Sequence, residues 1–166
     1  MTDPQTSRRL IVMRHAKAGD LPGGPDLERA LTPRGMADAT RAGQWLAGQG
    51  YLPDAIIVSS ARRARQTWRQ VSAEFTDYGV RAHKAESLYE ATAGDLLEFV
   101  RGTADQAGTL MYVGHNPAAG NLAAALANWR PPGFPTSAIA VIGFSGPWSR
   151  LNPGDGSLIA SWTPRQ

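Results

Sequence analysis

The chain contains no cysteine, which removes disulfides, thiolate nucleophiles and cysteine-ligated zinc or iron–sulfur centres together. Long hydrophobic runs are missing as well. The stretch Met1 to Arg9 is polar and leads into only a short apolar segment, so neither a secretory signal nor a membrane span is expected. A cytoplasmic protein without a membrane partner is the resulting expectation. One sign of charge is only slightly in excess, 17 basic against 14 acidic residues for a net +3, and arginine dominates that excess. This is weak support for an anionic ligand. The one dense basic run, Arg62, Arg63 and Arg65, has no aromatic residues interleaved for base stacking, so no nucleic-acid partner is expected; a solvated helix start is its plain alternative. What is present is ordinary: 42% hydrophobic and 19% charged residues in a chain of 166, the usage of a globular protein with one core. Residues 1–166 are therefore expected to form a single domain.

Leu10-Ile11-Val12-Met13 is a short continuous apolar run, the pattern of a strand buried on both faces in a parallel sheet. Ala55 to Val58 and Thr109 to Val113 repeat it, with a weaker strand around Val80 to Ala85. Helices are expected between them. Thr32-Pro33 supplies a cap and a first-turn proline for one that stops near Gly48 to Gly50. Ser59-Ser60 offers caps for a second, from about Ala61 to Phe75; a third runs from about Ala93 to Arg101 and a fourth from about Ala118 to Asn128. After the break at Pro131-Pro132-Gly133, Ser137 to Phe144 and Leu158 to Trp162 read as late strands of an antiparallel hairpin. The expected architecture is a three-layer α/β/α sandwich with a mostly parallel central sheet and late antiparallel strands.

Ligands of open α/β sheets bind beyond the carboxyl ends of the strands, and three such ends carry reactive residues. The first strand ends in Arg14-His15, the second in Ser59-Ser60 with Arg63 one turn into the next helix, and the strand after Thr109 in His115-Asn116-Pro117. Arginine offers a planar fork of donors that matches phosphate oxygens and does not lose its charge. Two arginines helped by helix N-terminal amides make a site for a dianion. A histidine beside them can attack phosphorus through one ring nitrogen while the other holds its proton, and a second, protonated histidine can stabilise the non-bridging oxygens. Taken singly each has a bland reading: a structural hydrogen-bonder for His15, an ion pair for Arg14, a helix cap for His115, part of the basic run for Arg63. Their joint occurrence favours chemistry.

Leu10 to Lys17 resembles the Arg-His signature of the histidine phosphatase superfamily, which also contains the cofactor-dependent phosphoglycerate mutases. The Ala16-Lys17 continuation is similar to its small SixA-like phosphohistidine phosphatase branch. Leu31-Thr32-Pro33-Arg34-Gly35, Ser59 to Thr67, Val113 to Pro117 and Phe134 to Ala138 resemble further motifs in the same order. The resemblance implies the phosphoglycerate mutase-like fold, His15 as the nucleophile that is phosphorylated, and Arg14, Arg63 and His115 as phosphoryl ligands. Register with Arg-Ala-x-Gln-Thr favours Arg63, with Arg62 as the fallback. Where many members have Gly after the nucleophile and a polar phosphate contact a few positions on, this chain has Ala16 and Leu21, which leaves Lys17 as a candidate phosphate ligand or a solvated loop charge. For the general acid that esterases of the superfamily take from the loop after the third strand, Glu90 is the nearest candidate and Glu86 stands behind it. Glu90 reads equally as a solvated carboxylate, and His83 as a strand-surface residue.

The expected reaction is transfer to His15 followed by hydrolysis, releasing inorganic phosphate, with no metal and no cofactor because arginines occupy the electrostatic role of magnesium. The compact length leaves little room for lid insertions. An open pocket suits a phosphohistidine on another protein; a small phosphate ester is the alternative substrate, and a non-catalytic phosphate-binding module the alternative from another class.

Overall fold

The computed structural model describes residues 7–164. Among these, six strands form one sheet: β1 (Ser7–Arg14), β2 (Ala55–Ser59), β3 (Ala82–Ala85), β4 (Thr109–Gly114), β5 (Ile139–Ser145) and β6 (Ser157–Trp162). Their spatial order is β3-β2-β4-β1-β5-β6. The first four run parallel, β5 pairs antiparallel with β1, and β6 antiparallel with β5. Four helices cover the faces: α1 (Pro33–Gln49), α2 (Arg62–Ser72), α3 (Ala93–Arg101) and α4 (Ala118–Ala127).

The two-residue period of a strand explains the three layers. Leu10 and Val12 of β1, Leu110 and Tyr112 of β4, and Ala140 and Ile142 of β5 enter one apolar core with Leu96, Val100, Leu122 and Leu126 of α3 and α4. Ile11, Met13, Met111, Val113, Ile139 and Val141 point the other way, onto Ala39, Ala42 and Leu46 of α1 and Ala64, Trp68 and Val71 of α2. Both faces of the central strands are thus buried, as their unbroken apolar runs require.

The chain leaves β1 for β2 on one side and later returns to insert β4 between them. Consequently α1, which follows β1, and α4, which follows β4, lie on opposite faces of the sheet. Adjacent strands whose following helices diverge open a crevice at their carboxyl ends. β1 and β4 end together, Arg14 opposite Gly114.

Local chemistry fixes the loops around that crevice. Thr32 caps α1, its hydroxyl accepting from the Gly35 amide at 3.0 Å. Only glycine fits at Gly35, because a Cβ there would stand 2.1 Å from the Lys17 carbonyl oxygen. The expected Ser59-Ser60 cap of α2 does not form: the N-cap residue is Ala61, without a side-chain cap. Ser59 is the last residue of β2 and turns its hydroxyl to His115 instead. The third strand is shorter than expected, because β2 offers partners only to Ala82–Ala85. β5 starts at Ile139 and not at Ser137, which has φ +67° and donates its amide to the carbonyls of Arg14 and His15. None of the described helices is long and apolar enough to cross a membrane.

Candidate active site

Arg14, His15, Asp26, Arg29, Arg63, Tyr89, Glu90, His115 and Asn116 line an open cavity of about 340 Å³ in the β1/β4 crevice. A larger groove, about 1010 Å³, lies at the amino ends of β1 and β4 around Arg8, Asp54 and Thr109. That is the wrong end of the sheet for the residues above, and no histidine lines it.

His15 is 8% exposed. Its amide donates to the Gly114 carbonyl at 2.8 Å, which ties it to β4. Its Nδ1 lies 2.8 Å from its neighbour's carbonyl at Ala16; an oxygen that only accepts puts the proton on Nδ1 and leaves the lone pair on Nε2. Burial pushes the ring pKa down to about 3, with His115, Arg63 and Arg14 adding to the effect against the Ala16 bond. The ring is therefore neutral at pH 7, the state a nucleophile needs. Ala16 is held in turn by Thr67 of α2, whose hydroxyl accepts from the Ala16 amide at 2.9 Å and donates to the Arg63 carbonyl at 2.7 Å.

His115 stands edge-on to His15, ring centroids 5.3 Å apart. Burial and then Arg63 lower its pKa to about 4, so the ring by itself is neutral at pH 7. Its Nε2 is 2.7 Å from Ser59 Oγ, which also accepts from the Ala61 amide. An arriving dianion supplies the charge that favours protonating the ring fully.

The two arginines share one feature, which Arg8 at the opposite end of β1 has as well. Arg14 gives Nη1 to the Phe134 carbonyl at 3.2 Å. Arg63, 6% exposed, gives Nη1 to the Asp26 carbonyl at 2.9 Å and Nη2 to the Asp26 carboxylate at 3.0 Å. Both keep a buried Nε–H with no acceptor. A buried charged donor left unpaired is costly, and a bound oxyanion relieves it. Arg62, one position earlier, is exposed and outside the cavity.

Glu90 is exposed at the rim. Lys17 is not brought into the cavity: the residue is exposed, and its carbonyl is held by the Thr32 amide at 3.0 Å and packed against Gly35. Leu21 is also outside, 42% exposed. In their place the loop after β1 contributes two residues that sequence reasoning missed. Asp26 and Arg29 sit on and after the 3-10 turn Asp26–Glu28, ion-paired at 2.8 Å. Tyr89 was missed too; its hydroxyl donates to Asp26, and its ring stands 5.6 Å from that of His115. The available signal was the acid and base three residues apart just ahead of the Leu31-Thr32-Pro33 motif. Among the described residues no three His, Asp or Glu side chains converge as a metal site.

Known proteins resemble this chain along nearly its whole length. An uncharacterized protein of Mycobacterium tuberculosis is 37% identical, over 92% of this chain and all of its own length; one from Mycobacterium leprae is 32% identical over the same shares. Among solved structures, a Nakamurella multipartitia chain assigned as the phosphohistidine phosphatase SixA superposes with TM-score 0.84 at 29% identity, covering 99% of this chain and 100% of its own. The protein histidine phosphatase SixA complexed with tungstate gives 0.80 at 26% identity, covering 94% and 97%. The family model of branch 1 matches residues 10–132, a span from the middle of β1 past the end of α4, and on that match the chain belongs to the histidine phosphatase superfamily.

Proposed function

We propose that this phosphatase works through a covalent phosphohistidine on His15, and that its substrate is a phosphohistidine displayed on another protein. The carrying observation is the pair of buried, unpartnered Nε–H groups of Arg14 and Arg63 beside a neutral His15 whose proton is fixed on Nδ1. Nε2 of His15 attacks phosphorus in line, the bond from phosphorus to the substrate nitrogen breaks, and that nitrogen takes a proton. Water then attacks the phosphorylated His15, inorganic phosphate leaves and the ring returns to its starting state. The arginines and His115 hold the three equatorial oxygens throughout.

A protein substrate is supported by the likeness to SixA and by the mouth of the pocket. β3 ends at Ala85 and α3 begins at Ala93, so only a short turn overhangs it on that side. An imidazole leaving group needs little help from an acid, whereas an alkoxide needs it badly; Glu90, exposed at the rim, is the only candidate acid the sequence offered that lines the cavity. Turnover of a phosphohistidine-bearing protein and of alkyl phosphates should therefore be compared in wild type and Glu90→Gln. Fast phosphohistidine hydrolysis that survives the substitution, and survives excess chelator, is expected. Efficient alkyl phosphate hydrolysis that depends on Glu90 would instead establish a small-molecule phosphomonoesterase.

A further inference from the structure

The cavity that is to receive a phosphate already holds a carboxylate. Asp26 accepts from Arg29 Nε on one oxygen at 2.8 Å, and from Arg63 Nη2 at 3.0 Å and the Tyr89 hydroxyl on the other. The donors come from three separate segments: the loop after β1, the first turn of α2 and the loop after β3. Two arginines and a phenol converging on one carboxylate is how a protein seizes the carboxylate of a small ligand. Here the chain supplies that carboxylate itself, on a side chain that is 52% exposed. These hydrogen bonds, that of Tyr89 foremost, hold Asp26 well below the usual carboxylate range, so its charge persists through neutral and mildly acidic pH.

We infer that Asp26 fills the subsite beside the phosphoryl position and so excludes substrates that carry a carboxylate next to their phosphate. This rests on the reading that Arg14, His15, Arg63 and His115 bind a phosphoryl group. With Asp26 in place, a ligand carboxylate finds Arg29, Arg63 and Tyr89 already engaged and meets a like charge. Without it, the same three donors become a binding site. Asp26 is thus a specificity residue that keeps phosphorylated small acids out of the pocket.

The test is equilibrium binding, which does not depend on turnover. The affinities of 2-phosphoglycolate and of inorganic phosphate are measured for wild type and Asp26→Ala, and their ratio is compared. The ratio should rise in favour of phosphoglycolate by roughly 10- to 100-fold in the variant, the gain of a charge-assisted carboxylate contact. Added acetate should erase that gain by occupying the vacated donors, a rescue that a merely structural role would not produce. Asp26→Asn keeps the side chain's size and carries the test if the alanine variant does not fold; its ratio should rise in the same direction by less. Phosphate binding with an unchanged ratio, or a changed ratio indifferent to acetate, overturns the inference alone. No phosphate binding to wild type overturns the reading of the site, and the inference with it.

Discussion

Arg62 and Arg63 occupy consecutive positions of α2, about 100° apart around the helix, so only one can face the crevice. Arg63 does, buried with its Nε–H unpaired, while Arg62 is solvated. Arg63→Ala should therefore cost about 2–4 kcal/mol of transition-state stabilisation, roughly a 30- to 1000-fold loss in kcat/KM, whereas Arg62→Ala should stay within a few-fold of wild type. Steady-state kinetics of the two variants checks this, and the reverse ranking would move the site by one residue. The residues legible from sequence, Arg14, His15, Arg63 and His115, share one property: each lies at a strand end or one turn beyond it, where backbone topology alone carries it to the crevice. Asp26, Arg29 and Tyr89 were not legible because their positions depend on how loops fold back. Lys17 illustrates the converse, since adjacency to His15 in sequence did not survive the anchoring of its backbone against Gly35.

The elements succeed or fail as supports for those side chains. α2 grips the loop after β1 through three residues: Arg63 on Asp26, Gln66, which accepts from the Leu31 amide at 2.8 Å, and Thr67 on the Ala16 amide. Thr67→Val keeps the shape and removes the hydroxyl, leaving the Ala16 N–H buried and unpaired. About 1–3 kcal/mol of stability should be lost, read as a lowered denaturation midpoint, and kcat should fall more than KM rises because His15 loses its rear support. Gly35→Ala is the backbone counterpart: with backbone only 2.1 Å away, α1 and the residues following His15 must move apart, and a loss of roughly 1–3 kcal/mol is expected in thermal unfolding. Helix ends were readable where a cap was local, as at Thr32 with its first-turn proline. They were misread where a side chain had a closer long-range partner: Ser59 meets His115 across the crevice and, at the start of the next helix, reaches only the amide of the N-cap residue Ala61.

At the scale of the whole molecule, apolar runs announced a sandwich with a mostly parallel sheet, but not the insertion of β4 between β2 and β1. Strand order is a matter of long-range pairing that no local pattern encodes, and that insertion is what opens the crevice. Gathering two histidines and two arginines there has a global consequence. Both rings lie below their ordinary value of 6.5, at about 3 and about 4. Between those values and 6.5 the unfolded chain binds protons that the folded chain refuses, so stability falls as pH falls through this window. Each ring should account for roughly 1–2 kcal/mol between pH 6.5 and 5. Asp26 adds a loss of the same sign at more acid pH: its lowered pKa contributes stability that is full above the ordinary carboxylate value of 3.8 and is lost as pH falls below it. Denaturant unfolding across pH should show the loss, and the double variant His15→Asn, His115→Asn should flatten it; added phosphate should reduce it in wild type by drawing protons onto the rings. The account stands or falls on whether His15 itself carries the phosphoryl group. Wild-type protein exposed briefly to a labelled phosphoryl donor and quenched rapidly should yield an adduct, stable to alkali and labile to acid, that maps to His15 and is absent from His15→Asn. A label mapping to His115 or His83, or turnover that persists undiminished in His15→Asn, would contradict it.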